Sequence, residues 1–124
     1  LIVTLGGNDL LRGIDPGVSR ANLEGILSAA TGAGVEVLLV GMQAPGNYGP
    51  DYKAAFDGMY SDLSAAYGTL YAGSFFEGLG GAGTDPAAIS AFMQPDGIHP
   101  NADGVARIVE GLGPFVIDLV NRVE

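Results

Sequence analysis

One histidine stands in the 124 residues of this chain, and an aspartate lies three positions before it in the string Asp96-Gly97-Ile98-His99-Pro100. In a tight, non-helical turn, a carboxylate at position i can accept a hydrogen bond from the Nδ1–H of a histidine at i+3. That bond fixes the ring tautomer and leaves Nε2 free to take a proton from a nucleophile. Gly97 lets the backbone bend, and Pro100 biases His99 away from helical geometry. A lone histidine is more often a surface or satisfied core residue. Here its flanks favour display of the imidazole from a rigid loop.

The composition narrows what such a pair can act on. Fourteen acidic residues against five basic ones give a formal charge of −9, and Lys53 is the sole lysine, so nucleic acid and anionic membranes are disfavoured partners. There is no cysteine, which removes disulfides, thiolate zinc sites and thiol catalysis and leaves the redox compartment open. One histidine and scattered carboxylates match no metal-ligand spacing, so neither a metal nor another cofactor is expected. No run reaches the roughly 18 apolar residues needed to span a bilayer. The length fits one domain, and 48% hydrophobic residues suffice for one core.

The elements that must position Asp96 and His99 can be read from periodicity. Residues 1–5, Leu-Ile-Val-Thr-Leu, are a continuous apolar run ended by Gly6-Gly7-Asn8-Asp9, and a parallel strand buried on both faces fits best. A strand of that kind at position 1 suggests that the chain continues upstream. Asp15-Pro16 signals a helix start, and Val18, Leu23, Ile26, Leu27 and Ala30 then recur at helical spacing up to the Thr31–Gly34 break. Residues 35–40 read as a second strand, which completes a strand-helix-strand unit of the right-handed parallel kind. A loop rich in Gly, Pro and Asn follows over 42–50, then a helix over 51–67 stopped by Gly68, and a short third strand over 69–72. Residues 78–84 read as a glycine-rich loop, and Asp85-Pro86 opens a short helix running through Phe92. Asn101 or Asp103 caps a last helix that Gly113-Pro114 is expected to break, leaving 115–123 as a final turn set. In open parallel sheets, ligands bind beyond the carboxyl ends of the strands. The loops at 6–9, 42–48 and just before Asp96 converge there.

With Gly6-Gly7-Asn8-Asp9 after a strand and Asp96-Gly97-Ile98-His99-Pro100 before the last helix, the chain resembles the SGNH (GDSL) hydrolase family over its whole length. Gly46-Asn47-Tyr48-Gly49 after the second strand further resembles the bacterial acyl thioesterase, arylesterase and lysophospholipase branch. The resemblance implies a three-layer α/β/α fold around a flavodoxin-like parallel sheet of order 2-1-3-4-5, here without its first two strands. On that reading residues 1–124 are the C-terminal portion of a single domain. It implies His99 as general base and then acid, Asp96 as its orienting carboxylate, and Asn8 as an amide donor to the oxyanion. Gly7, Leu10, Leu11, Tyr48 and Ile98 are the implied substrate contacts. Ile14 is a further candidate for an acyl pocket, with plain packing as the competing reading for Leu10, Leu11, Ile14 and Tyr48. Asp9 reads as a residue bonding local backbone, Phe75-Phe76 as core, Glu77 as a solvated loop residue, and Asp85 and Asp103 as caps.

The chain departs from the family pattern in one respect. Neither the Gly-Asp-Ser-Leu-like block that carries the nucleophile nor the glycine block that supplies another oxyanion donor is present, and none of Ser19, Ser28, Ser61, Ser64, Ser74 or Ser90 has an equivalent setting. The expected enzyme is therefore a serine ester or thioester hydrolase for small to medium acyl substrates, its nucleophile supplied by its own N-terminal segment. Two alternatives stand beside it: an inactive α/β binding or structural module, and a carbohydrate acetylesterase on the same scaffold. Periplasmic or secreted location is suggested by the resemblance alone.

Overall fold

The computed structural model describes residues 1–80 and 86–123. Three parallel strands, β1 (Ile2–Val3), β2 (Leu38–Val40) and β3 (Leu70–Ala72), form one sheet in the order β1-β2-β3. Ile2 is in register with Leu38, and Leu38 with Leu70. Between them run α1 (Gly7–Arg12), α2 (Pro16–Gly32) and α3 (Pro50–Tyr67). After β3 come α4 (Pro86–Ser90) and α5 (Ala102–Val123), with 3-10 turns at Gly46–Tyr48 and Glu77–Leu79. This is the expected α/β/α sandwich with a small parallel sheet.

The alternation of β2 divides the core. Leu39 and the adjoining Val37 face α2 and α3, where they meet Val3, Leu23, Leu27, Phe56, Met59, Tyr60 and Leu63. Leu38 and Val40 face the other way, toward Ala72 and Leu119, with Phe75, Leu112, Phe115 and Val116 packed on them. All three β2 residues are fully buried, as a central parallel strand requires, and each such side chain contributes about 1.5–3 kcal/mol through burial.

Three expectations need correction. Residues 1–5 are not buried on both faces: only Val3 is, while Leu1, Ile2 and Leu5 are exposed. The reason is that β1 is an edge strand with a neighbour on one side only, and α5 lies over β2 and β3. Gly7–Asn8–Asp9 is not a turn after the strand but the first half of α1. Gly113-Pro114 does not break α5, which runs unbroken to Val123. A proline inside a helix frees the carbonyl of residue i−4. Here that residue is Glu110, which like Pro114 is exposed, so water can satisfy it. The helix starts fare better. Asp15 accepts a bond from the Gly17 N–H (2.8 Å) at the head of α2, and Asn101, rather than Asp103, caps α5 by accepting from the Gly104 N–H (2.9 Å). The short helix after 85 ends at Ser90, earlier than Phe92; Asp85 and most of the 78–84 loop lie outside the described residues.

Candidate active site

Residues 91–101 build a loop that holds itself. An antiparallel bridge joins Met93 to Pro100, the Gln94 N–H donates to the His99 carbonyl (2.7 Å), and the Gly97 N–H donates to the Gln94 carbonyl (2.9 Å). Asn101 ties the loop to its own base, its Nδ2 donating to the Ala91 carbonyl at 2.9 Å. Gly97 has a φ of 67°, the left-handed region that favours glycine. Inside this frame Asp96 accepts three hydrogen bonds: Oδ1 takes the backbone N–H of Ile98 (2.9 Å) and of His99 (3.0 Å), and Oδ2 sits 2.6 Å from His99 Nδ1. The His99 ring bond first, and then the backbone N–H groups of His99 and Ile98, hold the Asp96 carboxyl down to about 2. At neutral pH Asp96 is therefore a carboxylate and can only accept, so Nδ1 donates to it and Nε2 is the ring nitrogen left for another partner. The imidazole is 68% exposed, open to whatever approaches it.

Asn8 is held in a different way. Its side chain is exposed and engages no partner among the described residues. The chain reaches it through Gly6, whose φ of 121° suits glycine and whose missing Cβ leaves space taken up by the Tyr60 hydroxyl. That hydroxyl donates to the Leu5 carbonyl at 2.8 Å from a fully buried ring. Two more tyrosines repeat the contact further along: Tyr48 donates to the Leu10 carbonyl and Tyr52 to the Ile14 carbonyl, both at 2.8 Å. The rings of Tyr48, Tyr52, Phe56 and Tyr60 form a continuous series, with centroids 4.8, 6.0 and 5.7 Å apart. Asp9 does not bond local backbone; its Oδ2 accepts from the hydroxyl of buried Ser19 on α2 at 2.7 Å. Burial, and then the Asp9 charge, push the Tyr60 phenol upward, so it stays a donor through the physiological range.

A cleft of about 1080 Å³ brings the two regions together at the carboxyl end of the sheet. Gly7, Asn8, Leu10, Leu11, Tyr48, Ile98 and His99 all line it; Asp96 stands behind His99, and Ile14 is not on its wall. Phe75 and Phe76, expected in the core, are half-buried, stack edge to face at 5.1 Å, and also line the cleft. Glu77 is exposed in a 3-10 turn, and Asp103 is exposed in the first turn of α5. The loop after β2 is pinned at Ala44, whose N–H donates to Asp57 Oδ1 and whose carbonyl accepts from Lys53 Nζ, both at 2.7 Å. Lys53 and Asp57 are themselves paired at 2.7 Å. Among the described residues no group of three or more metal-donor side chains converges.

The six serines are all occupied or misplaced. Ser19 is bonded to Asp9, and Ser64, buried, donates to the Thr69 carbonyl. Ser74, also buried, accepts from the Phe76 N–H. Ser28, Ser61 and Ser90 are exposed on helices. Sequence reading found both groups that face the cleft but missed what fixes one of them. Tyr52 and Tyr60 lie inside the helix read over 51–67, and helical spacing does not say where a tyrosine hydroxyl reaches.

The model of the GDSL-like lipase/acylhydrolase family matches residues 1–107. Esterase TesA of Pseudomonas aeruginosa is 39% identical over 120 residues, which cover 97% of this chain and 56% of the relative. Thioesterase 1/protease 1/lysophospholipase L1 of Escherichia coli K12 is 34% identical over 122 residues, covering 98% and 55%. The crystal structure of TesA superposes with a TM-score of 0.78 at 38% identity, covering 95% of this chain and 62% of that one. The chain thus spans a little over half the length of the curated relatives it matches.

Proposed function

Because this chain belongs to the GDSL-like lipase and acylhydrolase family of SGNH hydrolases, we propose that it is the C-terminal portion of a single SGNH domain acting as a serine ester or thioester hydrolase. The carrying observation is the 2.6 Å bond between Asp96 and an outward-facing His99 in the cleft that Asn8 also lines. His99 Nε2 takes the proton of a serine hydroxyl as that oxygen attacks the acyl carbonyl. Asp96 holds the tautomer and stabilises the imidazolium. The Asn8 amide donates to the oxyanion of the tetrahedral intermediate, stabilising charge without titrating. His99 then returns the proton to the departing alcohol or thiol, and a water activated in the same way releases the acid. Gly7, Leu10, Leu11, Tyr48 and Ile98 form the wall against which a small or medium acyl group lies.

On this reading the serine comes from a segment outside residues 1–124. Support for its place lies in what is uncovered. Ile2 shares the sheet face of Leu38 yet is 44% exposed, and among the described residues the outer edge of β1 is unpaired. On α5, Val105, Val109, Ile117, Val120 and Val123 are exposed although they continue the apolar arc that packs on the sheet. A strand beside β1 and a helix beside α5 would cover both. The test is hydrolysis of p-nitrophenyl acetate or butyrate by residues 1–124 joined to the serine-bearing segment, with and without His99→Ala. Wild-type rates in the variant, or a fully active monomer from residues 1–124 alone, would overturn the reading.

A further inference from the structure

We infer that Tyr60 and Ser19 are positioning residues that aim the Asn8 amide into the cleft; the inference rests on the oxyanion role proposed for Asn8. α1 has six residues, none of them buried, and no side chain caps its start. Such a short helix does not stand alone, and only the partly buried Leu10 packs it on the core. Its direction is set from outside at the two points that flank Asn8. On one side the Tyr60 hydroxyl fixes the Leu5 carbonyl and occupies the space beside Gly6, so the chain leaves β1 along one path. On the other side Ser19, 1% exposed, fixes the carboxylate of Asp9, the residue next to Asn8. Both anchors are rigid. Tyr60 is wedged by an edge-to-face contact with Phe56, 5.7 Å between centroids, and Ser19 lies within the 17-residue α2. An oxyanion donor works only when it is preorganised at the place where charge develops. A shift of the peptide before or after Asn8 swings its amide away from that place while leaving the cleft walls intact.

The inference predicts a defect in turnover rather than in binding. In the complete enzyme, with p-nitrophenyl butyrate, Asn8→Ala should lower kcat by about 10² to 10³. Tyr60→Phe keeps the ring, removes only the hydroxyl, and should lower kcat about tenfold with KM within about twofold. Tyr52→Phe removes an equivalent bond, to Ile14, from a side chain that does not line the cleft, and should leave kcat where it is. The deciding measurement is the cycle: Tyr60→Phe added to Asn8→Ala should cost nothing further, because the group it positions is gone. Additive losses, or equal effects of Tyr60→Phe and Tyr52→Phe, would overturn the positioning role. An unchanged kcat in Asn8→Ala would instead remove the oxyanion assignment, and the inference with it. Should Tyr60→Phe fail to fold, Ser19→Ala carries the same cycle, with the same non-additivity expected and additivity again fatal.

Discussion

The two regions that face the cleft are built on opposite plans. The loop carrying His99 is closed by contacts among residues 91–101: every bond that shapes it spans at most ten positions of the chain. The segment carrying Asn8 is held by Tyr60 and, further along α1, by Tyr48, which lie 55 and 38 positions from the carbonyls they grip. A local loop tolerates exposure, since the hydrogen bonds that shape it do not run through the core. A suspended segment does not. Its aim depends on the packing of α3, so its function and the stability of the fold are linked.

That contrast can be broken or sharpened by substitution. The largest effect should come from His99→Ala in the complete enzyme, which removes the proposed base and should cut kcat by about 10⁴ or more while moving the thermal midpoint only slightly. Parallel loss of activity and of fold would show that the loop is not self-sufficient. Asp96→Asn should follow, lowering kcat by up to about 10⁴ through the wrong tautomer, with only a small fall in the melting temperature from loss of the carboxylate. On the other side of the cleft, Tyr60→Ala should destabilise by about 3–5 kcal/mol in a denaturant titration, because it empties a fully buried aromatic site. A loss under about 1 kcal/mol would sever the proposed tie between the Asn8 segment and the core.

The smallest effect is a titration. The folded Asp96 carboxyl titrates near 2, below its ordinary 3.8, so its contribution to stability is complete above about pH 4 and is lost as pH falls toward 2. Its carboxyl carbon resonance should show that low midpoint and move up in His99→Ala, since the ring bond is the largest cause of the shift. Tyr60→Phe should leave it alone.

The same contrast decides how much was legible in the sequence. Asp96-Gly97-Ile98-His99 could be read because its partners are three residues apart and glycine and proline mark the bend. The Asp15 cap and the Gly68 stop were readable for the same reason. The boundaries of β1 and the exposure of Leu1, Ile2 and Leu5 were not, because the burial of an apolar strand depends on which neighbours flank it. The continuity of α5 through Pro114 was hidden too, since it turns on Glu110 facing water. The bond of Ser19 to Asp9 was misjudged because the carboxylate's partner comes from the next helix rather than from the adjoining backbone. Tyr60, to which the sequence reading gave no part, shows the general limit: periodicity tells which face of a helix is buried but not which distant carbonyl a hydroxyl will meet.

The tyrosine series has an optical consequence. This chain contains five tyrosines and no tryptophan, and three of the five hold residues 5–14. Its near-ultraviolet dichroism and its fluorescence therefore arise in large part from the groups that hold residues 5–14. Loosening of that segment would register in a spectrometer before any ester is added.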